Sequence, residues 1–188
     1  MLRWSIQLHK WIALIVGIQV LFWVAGGVVM TVIPIERVRS EHHVAEAKPA
    51  PLAVDVVMPV AEVARVAGLR PVEAQLKTTP RGPVWSLKPA SGDPVILSAT
   101  TGRPLGAMAA ADARALAQRA YKGDGATVSA ILLAEAPQET GKTGPLWRVD
   151  FADAEKTTFY LSPQTGEVVS RRSTVWRFYD FFWRLHIM

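Results

Sequence analysis

The sequence predicts an α+β protein: an N-terminal transmembrane helix, two tandem units that each pack a helix on an antiparallel sheet, and a C-terminal aromatic amphipathic helix. Three observations carry this. Residues 11–33, WIALIVGIQVLFWVAGGVVMTVI, contain no charged side chain. GPVW at 82–85 and GPLW at 144–147 each open a strand at the same point in a repeated order of elements. The last stretch, VWRFYDFFWRLHIM, sets a narrow polar stripe among aromatic side chains.

At about 1.5 Å of rise per residue, residues 11–33 cover a hydrocarbon core of about 30 Å. A secretory signal would have a shorter apolar core with small residues at a cleavage site close behind it. Here Pro34, Glu36, Arg37 and Arg39 follow instead, and the A-x-A-like Ala45–Ala47 lies well beyond, so the segment is expected to remain as an anchor. Trp4 and Trp11 stand where an interfacial belt is expected. Arg3 and Lys10 precede the span and Arg37 and Arg39 follow it, so charge counting leaves the topology open. Ala13 with Gly17, and Gly27 with Thr31, have the spacing that lets membrane helices approach closely, which makes a homo-oligomer through this helix one expectation, with Gln19 as an interhelical hydrogen-bond partner.

The flank and span occupy 1–36 and a linker 37–55, whose AEAKPAPLA composition cannot build a core. The first unit spans 56–106. Pro59 opens a helix with Val60, Val63, Ala64 and Ala67 on one face, and Gly68 stops it. Val72, Ala74 and Leu76 then alternate with Glu73, Gln75 and Lys77 as in a half-buried strand. Trp85 and Leu87 share a face of the next strand, residues 91–94 turn, Val95–Leu97 form a third strand, and Thr101-Gly102 closes the unit.

The second unit, 107–172, repeats the order. Ala113, Leu116, Ala117, Ala120 and Tyr121 have helical spacing. Strands follow with Val128, Ala130 and Leu132, then Trp147, Val149 and Phe151, then Thr157, Phe159 and Leu161, and Thr165-Gly166 closes them. The repeat markers are Trp85 and Trp147, each a large ring to bury, and Gly102 and Gly166, each able to take positive φ in the closing turn. Residues 173–188 form the last helix, expected at the membrane interface with Trp176, Tyr179 and Trp183 at headgroup level and the arginines snorkelling.

Composition removes several function classes. There is no cysteine, hence no disulfide, thiolate catalysis, zinc-thiolate or iron–sulfur site. A net charge of +5, concentrated near the C-terminus, lacks the basic patch interleaved with aromatics that nucleic acid requires. HExxH, GxSxG and phosphate-loop patterns are missing and the middle of the chain holds no histidine, so no catalytic residue is expected. Glu41, His42, His43 and Glu46 carry metal donors, but adjacent histidines on a flexible flank are not preorganised, and no metal is expected. Asp150, Asp153 and Glu155 surround a hairpin beside Lys156, as turn residues do.

The order helix, strands, then Tyr160-Leu-Ser-Pro-Gln-Thr-Gly-Glu-Val168 resembles the PepSY domain family. His9-Lys10-Trp11 opening a span, and Trp183-Arg-Leu-His-Ile-Met188 after the domain, are similar to PepSY-associated transmembrane proteins of bacterial inner membranes. The resemblance implies a single-pass inner-membrane protein with a cytoplasmic N-terminus and its PepSY-like units in the periplasm. It implies a membrane-associated, non-catalytic module that binds and regulates a protein or peptide partner. In such proteins the segment like Leu185–Met188 leads into a second span, which implies either a truncated form or a pair of spans completed by another membrane subunit.

Larger multi-span relatives include ferric-siderophore reductases that carry haem between helices, which makes a haem-binding subunit the alternative. His9 and His186 are then the candidate ligands, since neutral imidazole is a common axial ligand. With the implied topology they lie towards opposite membrane surfaces, so each needs a second ligand from elsewhere. Otherwise no cofactor is expected.

Overall fold

The computed structural model describes residues 2–45, 51, 52 and 54–187. The chain divides into two compact units, Met1–His42 with Arg172–Met188, and His43–Arg171. The expected class holds in outline: an N-terminal apolar helix, two antiparallel sheets with helices between, and a C-terminal helix. Glu46 and most of the AEAKPAPLA stretch lie outside the described residues.

In the first unit, α1 (Leu2–Val32) runs for 31 residues and is long and apolar enough to cross a membrane. Pro34, which cannot continue a helical ladder, ends it and starts the short α2 (Ile35–Val38). The last helix, α5 (Thr174–Ile187), is capped by Ser173, whose hydroxyl accepts from the Trp176 N–H at 3.2 Å. Thr174 and Val175 lie beside Val32–Pro34, while His186 meets Trp23 and Gly26, so α5 runs antiparallel along the second half of α1. Gly26 makes this approach feasible: a Cβ there would stand 2.7 Å from the His186 Cβ and 2.8 Å from the Phe182 carbonyl oxygen.

In the second unit, α3 (Val60–Ala67) begins after Pro59 and ends at Gly68, φ +66°. It covers a three-stranded sheet in the order β1 (Pro71–Thr79), β2 (Gly82–Pro89), β3 (Val95–Ser98). Val63, Leu87 and Leu97 are fully buried there, with Trp85 packed against them and its indole N–H donating to the Met58 carbonyl at 3.0 Å. Helix α4 (Ala110–Ala120) covers a four-stranded sheet in the order β4 (Thr127–Leu133), β5 (Leu146–Phe151), β6 (Thr158–Leu161), β7 (Val168–Arg172). Its core joins Ala113, Ala117, Tyr121, Trp147, Val149, Phe151, Phe159 and Leu161.

The two sheets share local geometry. Trp85 pairs with Leu76 and Leu97, and Trp147 with Leu132 and Leu161. The register slips near the start of β1, between Pro71 and Glu73, and of β4, between Thr127 and Ser129. Gly102 N–H donates to the Ser98 carbonyl at 2.8 Å, and Gly166 N–H to the Ser162 carbonyl at 2.9 Å. Both glycines take positive φ, +69° and +74°, where a side chain would be strained.

Three features depart from the expected pattern. The second sheet has a fourth strand, β7, because Val168 and Val169 continue the hairpin beyond Gly166 before the charged Arg171 and Arg172. All four residues of β6 are buried rather than alternate ones, because Thr158 and Tyr160 find polar partners on the face away from α4. The expected inward set of β1 is only partly covered: Leu76 is half-buried, whereas Ala74 is exposed and Val72 is 69% exposed. The short α3 lies over β2 and β3 and leaves that strand open.

Candidate functional site

Among the described residues the second unit has three edge strands with a single sheet neighbour apart from β3: β1 of one sheet, and β4 and β7 of the other. The outer edge of β3 is occupied: Leu97 bridges Pro104, and the Ser98 N–H donates to the Arg103 carbonyl at 2.9 Å. Strand β1, at the other edge, pairs with β2 alone among the described residues. It is nine residues long, and Val72–Gln75 are exposed. Near its end Lys77 Nζ reaches Glu167 at 2.6 Å, and Arg81 Nη1 donates to the Gly106 carbonyl at 2.8 Å and the Gln164 carbonyl at 2.7 Å. The β1–β2 hairpin tip is thereby clamped to the β6–β7 turn, and the first half of β1 projects free of it.

A second cluster gathers residues that spacing alone had kept apart. The chain from His43 is tied to the end of α4: Lys122 N–H donates to the His43 carbonyl at 2.9 Å, and Ala45 N–H to the Ala120 carbonyl at 2.8 Å. Val44, at the start of the linker stretch, thereby packs on the core. The His43 ring stacks on Tyr121 with centroids 5.5 Å apart, and its Nε2 lies 3.4 Å from Glu155 and 4.0 Å from Asp153. Tyr121 donates to Asp153 Oδ2 at 2.6 Å, and the Thr157 N–H to Oδ1 at 2.7 Å. Burial alone would raise the Asp153 carboxyl, but the hydrogen bonds from Thr157 and Tyr121 and the nearby imidazole outweigh it and hold it below the usual carboxylate value. Burial and the same carboxylate push the Tyr121 phenol up. His43 and Glu155 offer two donors at chelating distance, and the stacking of the His43 ring on Tyr121 holds the segment entering from His43 against the end of α4.

A third polar cluster lies on the face of the second sheet away from α4. Asp150 accepts from Ser129 at 2.7 Å, Thr158 at 2.8 Å and Arg148 at 3.0 Å. Burial works to raise its carboxyl, and these three partners outweigh it and keep it below the ordinary range. Arg148 keeps 43% of its side chain exposed and Asp150 27%, so the cluster borders solvent on that face.

In the first unit His9 is exposed on α1, and fourteen residues, about 21 Å of helix, separate it from Trp23. His186 stacks on the Trp23 indole, ring centroids 5.6 Å apart, with Nδ1 2.8 Å from the Trp23 carbonyl oxygen. That contact requires the proton on Nδ1, which leaves the Nε2 lone pair of a neutral ring as a ligand. The structure does not bring the two histidines together. Of the aromatic residues expected at the interface, Trp4 is 83% and Trp11 63% exposed on α1. Trp176 carries the Arg172 guanidinium 4.0 Å over its ring, Tyr179 is half-buried, and Trp183 is exposed on α5. Gly27, read as a helix-contact residue, lies by His186 of the same chain: a Cβ added there would stand 3.6 Å from the His186 Cε1.

Sequence reasoning missed the junction of His43 and Tyr121 with the 153–155 turn. The available signal was weak: Val44 is an isolated apolar residue whose strand-like pairing with Tyr121 no periodicity announces. No protein-family model, curated protein or solved structure matches the chain.

Proposed function

We propose that this is a single-pass inner-membrane protein with a cytoplasmic N-terminus, whose two PepSY-like units form a non-catalytic periplasmic module that captures an extended segment of a protein or peptide partner. The open edge of β1 carries the reading. An edge strand with a single neighbour presents unpaired N–H and C=O groups, and a partner strand adds to it through main-chain hydrogen bonds. The matched Trp registers and Ser–Gly turns support two copies of one unit. The Tyr160–Val168 segment supports the family resemblance.

The test uses the full chain in nanodiscs, panned against a phage-displayed library of random dodecapeptides. Enriched peptides protect β1 amides from hydrogen exchange. Successive residues of a strand direct their N–H groups to opposite edges, so of Ala74→Pro and Gln75→Pro one removes an outward donor and one a donor to β2. The outward variant keeps its circular dichroism and loses peptide binding. Protection confined to other elements, or binding unchanged in both variants, overturns the reading.

His186 favours a second reading, a haem-binding subunit of a membrane reductase. Its Nδ1 contact with the Trp23 carbonyl leaves Nε2 as the nitrogen that would hold the haem iron. Haem there supplies one-electron chemistry, with the second ligand coming from another chain. A Soret band in protein purified from haem-replete cells, lost on His186→Ala or His9→Ala, supports it; colourless folded protein removes it.

A further inference from the structure

The first unit holds a groove of about 430 Å³ where α1 ends, walled by Val32, Ile33, Val175 and Phe178, with Arg37 and Thr174 at its polar side. We propose that this groove seats one acyl chain of an anionic glycerophospholipid whose phosphate is met by Arg37. The inference rests on α1 being a membrane span. If it is, Val32 and Ile33 stand where hydrocarbon gives way to headgroups, and Pro34 to Arg37 enter the headgroup layer. An apolar wall at that depth faces lipid tails.

Charge selects among lipids. In sequence, Arg172 and Arg177 flank the Thr174–Val175 wall, and Arg37 and Arg39 follow the opposite wall. The segments still carry an excess of positive charge, Arg37, Arg39, Arg172, Arg177 and Arg184 against Glu36, Glu41 and Asp180, with Asp180 bound to Arg184 at 2.9 Å and Glu41 3.8 Å from Arg39. Trp176, stacked under Arg172, is the aromatic type that settles among headgroups. A zwitterionic headgroup offers this rim a phosphate but adds an ammonium that it repels, whereas phosphatidylglycerol offers the phosphate alone.

The full chain is reconstituted in nanodiscs of equal phosphatidylcholine and phosphatidylglycerol, returned to mild detergent, and its retained lipids are counted by mass spectrometry. Phosphatidylglycerol is retained over phosphatidylcholine by about five-fold. Arg37→Gln brings the ratio towards one. Val175→Trp, which fills the groove, lowers total retained lipid, and Val24→Trp, on an exposed stretch of α1, does not. Inorganic phosphate in the wash displaces nothing, since the tail holds the ligand. Equal retention of the two lipids, or a ratio unchanged by Arg37→Gln, overturns the site. Flotation on pure phosphatidylcholine vesicles separates the causes: protein that floats without lipid preference loses only this site, and protein that fails to float loses the anchor and the site together.

Discussion

Gly26 has room for a hydrogen and little more. Replacing it with alanine drives a methyl into the His186 Cβ and the Phe182 carbonyl, one of them backbone, so α5 must shift. Overpacking of this kind costs about 1–3 kcal/mol. Gly26→Ala is expected to speed tryptic cleavage after Arg177 in detergent, while Gly17→Ala, with open space around its Cα, leaves it unchanged. Asp150 gives a pH signature. Its carboxyl sits below the unfolded value of about 3.9, so the stability it contributes is complete above that pH and is lost as pH falls through the folded value. Thermal melts followed by circular dichroism should be flat from about pH 5 to 7 and decline below about pH 4. Asp150→Asn should lower stability by about 1–3 kcal/mol at neutral pH and flatten part of that decline, the rest belonging to Asp153. Spacing marked Asp150 and Asp153 only as hairpin residues, because their partners Ser129 and Tyr121 are brought near by pairing and helix packing.

At the level of elements, helices and turns were readable because their signals are local. Pro59 and Gly68 bracket α3 as expected, and the Thr-Gly pairs mark both closing turns. Strand β7 was not, because Val168–Arg172 carries two apolar residues and then two arginines, and only a neighbour, β6, makes it a strand. Tyr160 was unreadable for the same reason: its hydroxyl donates to Glu139, twenty-one residues away, at 2.6 Å. Arg81 is the corresponding device between sheets. One nitrogen reaches the carbonyls of Gly106 and Gln164, with that of Pro163 at 3.3 Å. Arg81→Ala should cost about 1.5–3 kcal/mol. It should raise hydrogen exchange at residues 80–82 and 163–166 while leaving the amides of β5 and β6 protected.

Across the whole molecule, the expected behaviour depends on α1. Val20 lies near the middle of its apolar run and is 50% exposed. A lysine at the centre of a span costs about 2.5–3.5 kcal/mol on insertion, so Val20→Lys is expected to lower the carbonate-resistant membrane fraction, and Val72→Lys on the exposed edge strand to leave it intact. The amino-acid sequence by itself determined the apolar helix, the helix-and-strand order from α3 to β6, both closing turns and the absence of thiol chemistry. Each follows from composition or from spacing within one or two turns of chain. Tertiary structure alone decided that α5 lies along α1, that His43 closes on the 153–155 turn, that Arg81 ties the two sheets together, and that β1 rather than β3 is the open edge of the first sheet. Those outcomes depend on which surfaces meet, and the energies that choose them arise between residues tens of positions apart, where no local period records them.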